Sequence, residues 1–120
     1  MLNRISRVLS VLVLISNASE ALAACTPDPP TDGAAVVCDG TDSTGYDGSG
    51  ATGLTITTAG AAILDDSNPT LDSAILVSDD NTVTIGTDAQ INVTEANGFG
   101  VRGNNDNFFD NQGTITINAA

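Results

Sequence analysis

Four short stretches of this chain alternate between apolar side chains and hydroxyl or amide side chains. They are Leu54–Thr55–Ile56–Thr57, Thr82–Val83–Thr84–Ile85, Ile91–Asn92–Val93–Thr94 and Thr114–Ile115–Thr116–Ile117. A period of two sends successive side chains to opposite faces, and β-branched residues dominate every stretch, so each reads as a half-buried strand. Turn-forming clusters lie between them: Asp65–Asp66–Ser67–Asn68–Pro69, Asp79–Asp80–Asn81, Asn97–Gly98 and Gly103–Asn104–Asn105–Asp106–Asn107. No segment carries apolar residues at helical spacing between caps. The expected fold class is all-β.

Apolar positions recur at a loose interval. Ile56 and Ile75 are 19 residues apart, Val83 and Val101 are 18, and Val93 and Ile115 are 22. A period near 20 with several short strands in each period predicts a short parallel β-helix, or β-solenoid, of about three rungs. An antiparallel sandwich, which also has many short strands, is the competing architecture. In the solenoid, Ile56, Ile75, Val83, Ile85, Ile91, Val93, Ile115 and Ile117 point inward, and turn asparagines stack as ladders. The stretch Asp39–Gly40–Thr41–Asp42–Ser43–Thr44–Gly45–Tyr46–Asp47–Gly48–Ser49–Gly50–Ala51–Thr52–Gly53 reads as loop.

The first residues belong to no domain. Arg4 and Arg7 form a short basic region, residues 8–15 are apolar except for Ser10, and Ala21–Leu22–Ala23 supplies small residues before a cut between Ala23 and Ala24. This is the pattern of a secretory signal peptide. The apolar run is too short to span a bilayer, which takes about 20 residues. The expected organisation is a signal peptide over 1–23, a Cys-bounded cap and Gly/Ser/Asp-rich linker over 24–53, and solenoid repeats over 54–120. The chain is expected to be exported to the periplasm, to the outer membrane or cell surface, or into the medium.

Cleavage removes Arg4, Arg7 and Glu20, leaving Arg102 to face fourteen acids. So acidic a chain repels nucleic acid and anionic lipid. The aromatic residues are Tyr46, Phe99, Phe108 and Phe109, with no Trp. Cores usually carry more aromatic bulk than this. Small aliphatics with Thr, Asn and Gly suit a thin, elongated β structure.

Cys25 and Cys38 are the only cysteines. In an exported chain they admit two readings. A disulfide would close a loop of about 14 residues and contribute roughly 3 kcal/mol in the chain-entropy model. Alternatively, Leu22–Ala23–Ala24–Cys25 has the form of a lipobox, in which Cys25 becomes a lipidated N-terminus. That box does not directly follow the apolar run, and Glu20 intervenes.

Little catalytic chemistry is available. The chain has no His, which excludes Ser–His and Cys–His pairs and His-based metal sites. The acid pairs Asp65–Asp66 and Asp79–Asp80 read as solvated turn residues rather than as carboxylates with split pKa values. Gly98–Phe99–Gly100–Val101–Arg102–Gly103 matches GxGxxG, but turn residues follow it where a dinucleotide site needs a helix. Asp39, Asp42 and Asp47, with Asn104, Asn105 and Asp106, offer the oxygen ligands that Ca²⁺ uses, without EF-hand or GGxGxD spacing. No enzyme, cofactor or metal site is expected.

The Ala-x-Ala signal is followed by a Cys, a Pro-rich loop and Val37–Cys38–Asp39–Gly40. Thr-, Asn- and Gly-rich strands come next, ending with Asn111–Gln112–Gly113–Thr114–Ile115–Thr116–Ile117. Together these resemble the passenger start of bacterial autotransporters, chiefly proteobacterial ones. Asn111, Gly113 and Ile115 are similar to the repeated Asn–x–Gly–x–Ile rung of that family. The resemblance implies a right-handed parallel β-helix, a role in adhesion or surface display, and surface or host glycans or proteins as partners. It also implies tethering to an outer-membrane β-barrel. These 120 residues hold no such barrel, so the expectation is a fragment of a longer surface protein. An acidic outer-membrane lipoprotein and a secreted Ca²⁺-binding module are the alternatives.

Overall fold

The computed structural model describes residues 25–66 and 70–118. The signal region and the Ala23/Ala24 cleavage position lie outside them. Among the described residues there are ten strands and no helix: β1 (Cys25–Thr26), β2 (Ala35–Asp42), β3 (Tyr46–Gly48), β4 (Thr55–Asp65), β5 (Ser73–Val77), β6 (Thr82–Ile85), β7 (Gln90–Val93), β8 (Phe99–Arg102), β9 (Phe108–Asn111) and β10 (Thr114–Ile117). The all-β expectation holds. Except for the antiparallel β1–β2 pair, every ladder is parallel.

The strands form three parallel rows. The first runs β2–β4–β6–β9, the second joins the C-terminal half of β4 to β7 and then β10, and the third runs β3–β5–β8. Each row aligns an apolar column. Val36, Ile56, Val83 and Phe109 are register partners in turn, as are Leu64, Ile91 and Ile115, and Tyr46, Ile75 and Val101. Parallel strands lie about 4.8 Å apart, so like residues stack directly on one another. Each fully buried Ile, Leu or Val removes enough apolar surface from water to contribute about 1.5–3 kcal/mol. Outward positions repeat as well, with Thr55 beside Thr82 and Thr57 beside Thr84.

The interval near 20 is corrected by the register. Ile56 pairs not with Ile75 but with Val83, 27 residues on, and Val83 pairs with Phe109, 26 on. Only the first step, Val36 to Ile56, is 20. The 18- and 19-residue spacings link different rows. Val101 partners Ile75, and Ile115 partners Ile91 rather than Val93. Turns of unequal length between short strands blur the period.

The stretch 39–53 is also not the loop that its composition suggested. It holds the end of β2 and all of β3, and Tyr46 is buried there. Parallel pairing therefore begins at Ala35, well before residue 54. Gly40 (φ 66°) and Gly60 (φ 54°) bend β2 and β4 where one row gives way to the next. Their left-handed backbone is open to Gly at little steric cost.

Six of the eight expected inward residues are buried: Ile56, Ile75, Val83, Ile85, Ile91 and Val93. Ile115 and Ile117 are not, at 41% and 72% exposed. The alternation in β10 is correct, but β10 is the last strand of its row, and no further strand covers it.

Candidate functional site: a tied end, stacked turns and an apolar end

At the N-terminal end, Cys25 and Cys38 are register partners in the β1–β2 pair, and their sulfurs form a disulfide. Both half-cystines are buried. Beside them, the Tyr46 hydroxyl donates to the Pro27 carbonyl at 3.0 Å. The Tyr46 phenol is pushed up to about 12, first by burial and then by the carboxylates of Asp28 and Asp47. The bridge, the Pro loop and the Tyr46 ring together tie down this end of the first row.

The turns entering the first row repeat one construction. Gly33, Gly53, Asp80 and Asp106 all have positive φ (73°, 67°, 60° and 55°), and the strand begins two residues after each. Their backbones stack: the Gly33 N–H donates to Thr52 O, Gly53 to Asp79 O, and Asp80 to Asn105 O. The residue after each left-handed position forms a second ladder. Thr55, Thr82 and Phe108 donate to the carbonyls of Ala34, Leu54 and Asn81 at 3.0, 2.8 and 2.8 Å. In the last two turns this residue is Asn. The Leu54 N–H donates to Asn81 Oδ1 at 2.9 Å, and the Asn107 Nδ2 donates to Ser78 O at 2.8 Å. The expected asparagine ladder is present at Asn81 and Asn107.

Asp66 corrects the reading of its acid pair as solvated. It is fully buried, and its carboxylate accepts the Thr94 N–H at 2.7 Å, the Thr94 hydroxyl at 2.9 Å and the Glu95 N–H at 3.4 Å. It thereby organises the turn between β7 and β8. Asp79 accepts the Asn105 N–H at 2.9 Å, which also makes it a structural turn residue. Sequence reasoning missed Asp66, because a pair of acids in an Asn-rich turn gives no sign of which one turns inward.

The GxGxxG stretch is β8 with its two flanking glycines. A Cβ on Gly98 would lie 1.8 Å from Asp66 Oδ2, and one on Gly103 would lie 2.6 Å from Asn107 Nδ2. These glycines admit neighbouring side chains rather than a phosphate. The Ca²⁺ candidates are dispersed. Asp42 accepts from the N–H and hydroxyl of Thr44, Asp47 does the same from Ser49, and Asp106 holds a left-handed turn. No group of three or more His, Cys, Asp or Glu side chains among the described residues is placed to hold a metal ion.

The remaining feature is at the other end. Val83, Ile85, Val93, Phe99, Phe109, Ile115 and Ile117 surround an apolar cavity of about 360 Å³. Phe99 is 49% exposed and Phe109 47%. The only cation among the described residues, Arg102, sits with its guanidinium carbon 5.4 Å from the centre of the Phe99 ring. Asp110 lies in the cavity wall.

Comparison with protein-family models, with characterised proteins and with solved structures finds no match to this chain.

Proposed function

We propose that this chain is an exported, non-enzymatic segment of a β-solenoid surface protein of the autotransporter-passenger kind, serving surface display or adhesion. The observation that carries the reading is the register. Three rows of parallel strands advance together by 20 to 29 residues per step, from Val36 to Ile56 at the short end and from Tyr46 to Ile75 at the long end. Their entry turns stack backbone on backbone. Each pass of the chain buries its apolar side only against its neighbours, which is the logic of a solenoid. The right-handed parallel β-helix, the outer-membrane barrel that would tether the parent protein, and glycan or protein targets at a surface follow from the resemblance.

The bridge favours this reading over the lipoprotein alternative. The Cys25 sulfur that would carry a lipid thioether is already joined to Cys38. Oxidised cysteines also suit an exported chain.

Two measurements test the proposal. Mass spectrometry of the exported protein should find Ala24 at the N-terminus and a mass two protons lower than that of the dithiol. An acylated Cys25 would establish the lipoprotein instead. The chain should also be fused ahead of an outer-membrane barrel and treated with protease on intact cells. Digestion at the surface supports display, and full protection rejects it.

A further inference from the structure

One end of the molecule gathers three strand edges. β8, β9 and β10 are each last in their row, and each leaves one side of its backbone without a neighbouring strand. Exposed edges of this kind seek another strand. The apolar cavity opens among them, and Phe99, Phe109 and Ile117 stand exposed around it. The opposite end is different, because β1 and the Cys25–Cys38 bridge already cover part of the outer edge of β2.

We propose that this apolar end binds the same end of a second copy of the chain, through a two-fold axis perpendicular to the strand rows' stacking direction. The occupant must bring both strand edges and apolar side chains, and an identical end brings both. It is also electrostatically self-complementary. Each face carries one cation, Arg102 beside Phe99, and one carboxylate in the cavity wall, Asp110. A two-fold mate therefore supplies a counter-charge for each. A head-to-tail contact is obstructed by the tied N-terminal end, so assembly closes at two. The axis reverses the sense in which the chain circulates, so strands meet antiparallel across the interface, unlike the parallel rows within each copy.

The net charge of −12 opposes association at long range. Screening shortens that repulsion to about 10 Å at 0.1 M salt. Dimerisation should therefore strengthen as salt is added, whereas binding to a basic partner would weaken.

The test is sedimentation equilibrium of the exported, oxidised chain at low and high NaCl. The expected result is a monomer–dimer equilibrium that shifts toward dimer with salt and contains no larger species. Phe109→Asp and Ile117→Asp, both at exposed positions, should each weaken the dimer more than tenfold with unchanged far-UV circular dichroism. Val37→Asp, also exposed but on β2, should leave it intact. In mixed labelled and unlabelled protein, NOEs between copies should fall on β8, β9 and β10. A strict monomer at high concentration and high salt, open-ended growth beyond two, or a dimer insensitive to both Asp variants would overturn the proposal. So would a monomer that instead places this end on lipid vesicles.

Discussion

Asn81 directs two donors, its backbone N–H and its Nδ2, at the single carboxamide oxygen of Asn107, at 2.9 and 3.0 Å. Asn81 is 1% exposed, so this shared acceptor sits out of water. Removing Asn107 strands both donors, and removing Asn81 strands the Leu54 N–H. A buried donor without a partner costs about 1–3 kcal/mol. Asn107→Ala and Asn81→Ala should each lower the urea midpoint by a corresponding amount. The double variant should lose less than the sum, because the two side chains belong to one network. Strict additivity would mean that the ladder is not coupled.

Tyr46 is the only tyrosine, and the chain has no tryptophan, so its ionisation can be read directly near 295 nm. The folded phenol is raised to about 12 from a model value of 10.0. The folded state therefore holds its proton more tightly than the unfolded state does. The associated stabilisation is complete below pH 10 and is lost as pH rises through the folded value. The native titration midpoint should lie near 12 and return to about 10 in denaturant. A native midpoint near 10 would place the ring in water.

Tyr46→Phe separates the hydroxyl from the ring. It deletes the bond to Pro27 O and keeps most of the packing. A loss of about 1 kcal/mol is expected from chemical denaturation. Tyr46→Ala should cost about 3–5 kcal/mol, as large aromatic truncations do.

Reduction should loosen the tied end. Opening a loop of about 14 residues removes roughly 3 kcal/mol of constraint on the unfolded chain. The oxidised protein unfolded without reductant should show no thiol reactive with a chromogenic disulfide. Cys38→Ser should lower the melting temperature while the parallel rows beyond β4 persist.

Gly98→Ala and Gly113→Ala should both destabilise, for different reasons. At Gly98 the added methyl meets the buried Asp66 carboxylate, while at Gly113 it would lie 2.5 and 2.6 Å from the carbonyls of Ala89 and Gly86. Gly60→Ala meets nothing within 4 Å and pays only for its φ of 54°, about 1–2 kcal/mol. Gly98→Ala should be the worst of the three by thermal melting. Equal effects would mean that the neighbours yield freely.

Much of the strand content was legible, because alternation survives in β6, β7 and β10, where Thr and Asn face outward. The pairing was harder to read. Four entry turns carry the same message in different letters: Gly33–Ala34, Gly53–Leu54, Asp80–Asn81 and Asp106–Asn107, each just before a strand. Aligning those dipeptides would have yielded steps of 20, 27 and 26. Reading Ile against Ile confused neighbouring rows, since every row buries β-branched residues. The Asp and Gly of β2 and β3 concealed the first pass, in which Tyr46 fills the column position that Ile75 and Val101 fill later. The apolar end was expected from Ile115 and Ile117 as core. Alternation gives a side chain's face, while its burial depends on whether another strand follows in the row.

Parallel register has a further consequence for so acidic a chain. Stacking like positions about 4.8 Å apart would turn any repeated acid into a column of carboxylates, each adjacent pair repelling by about 1 kcal/mol even in water. The described ladders avoid this pair by pair. Asp39 lies beside Ala59, Asp42 beside Leu64, Asp47 beside Leu76, Asp65 beside Asn92, and Asp110 beside Thr84. Negative charge is thus abundant along the chain yet interleaved with neutral residues in the direction across it. Which acidic changes such a protein can accumulate is then set less by their number than by what stands one strand above and one strand below.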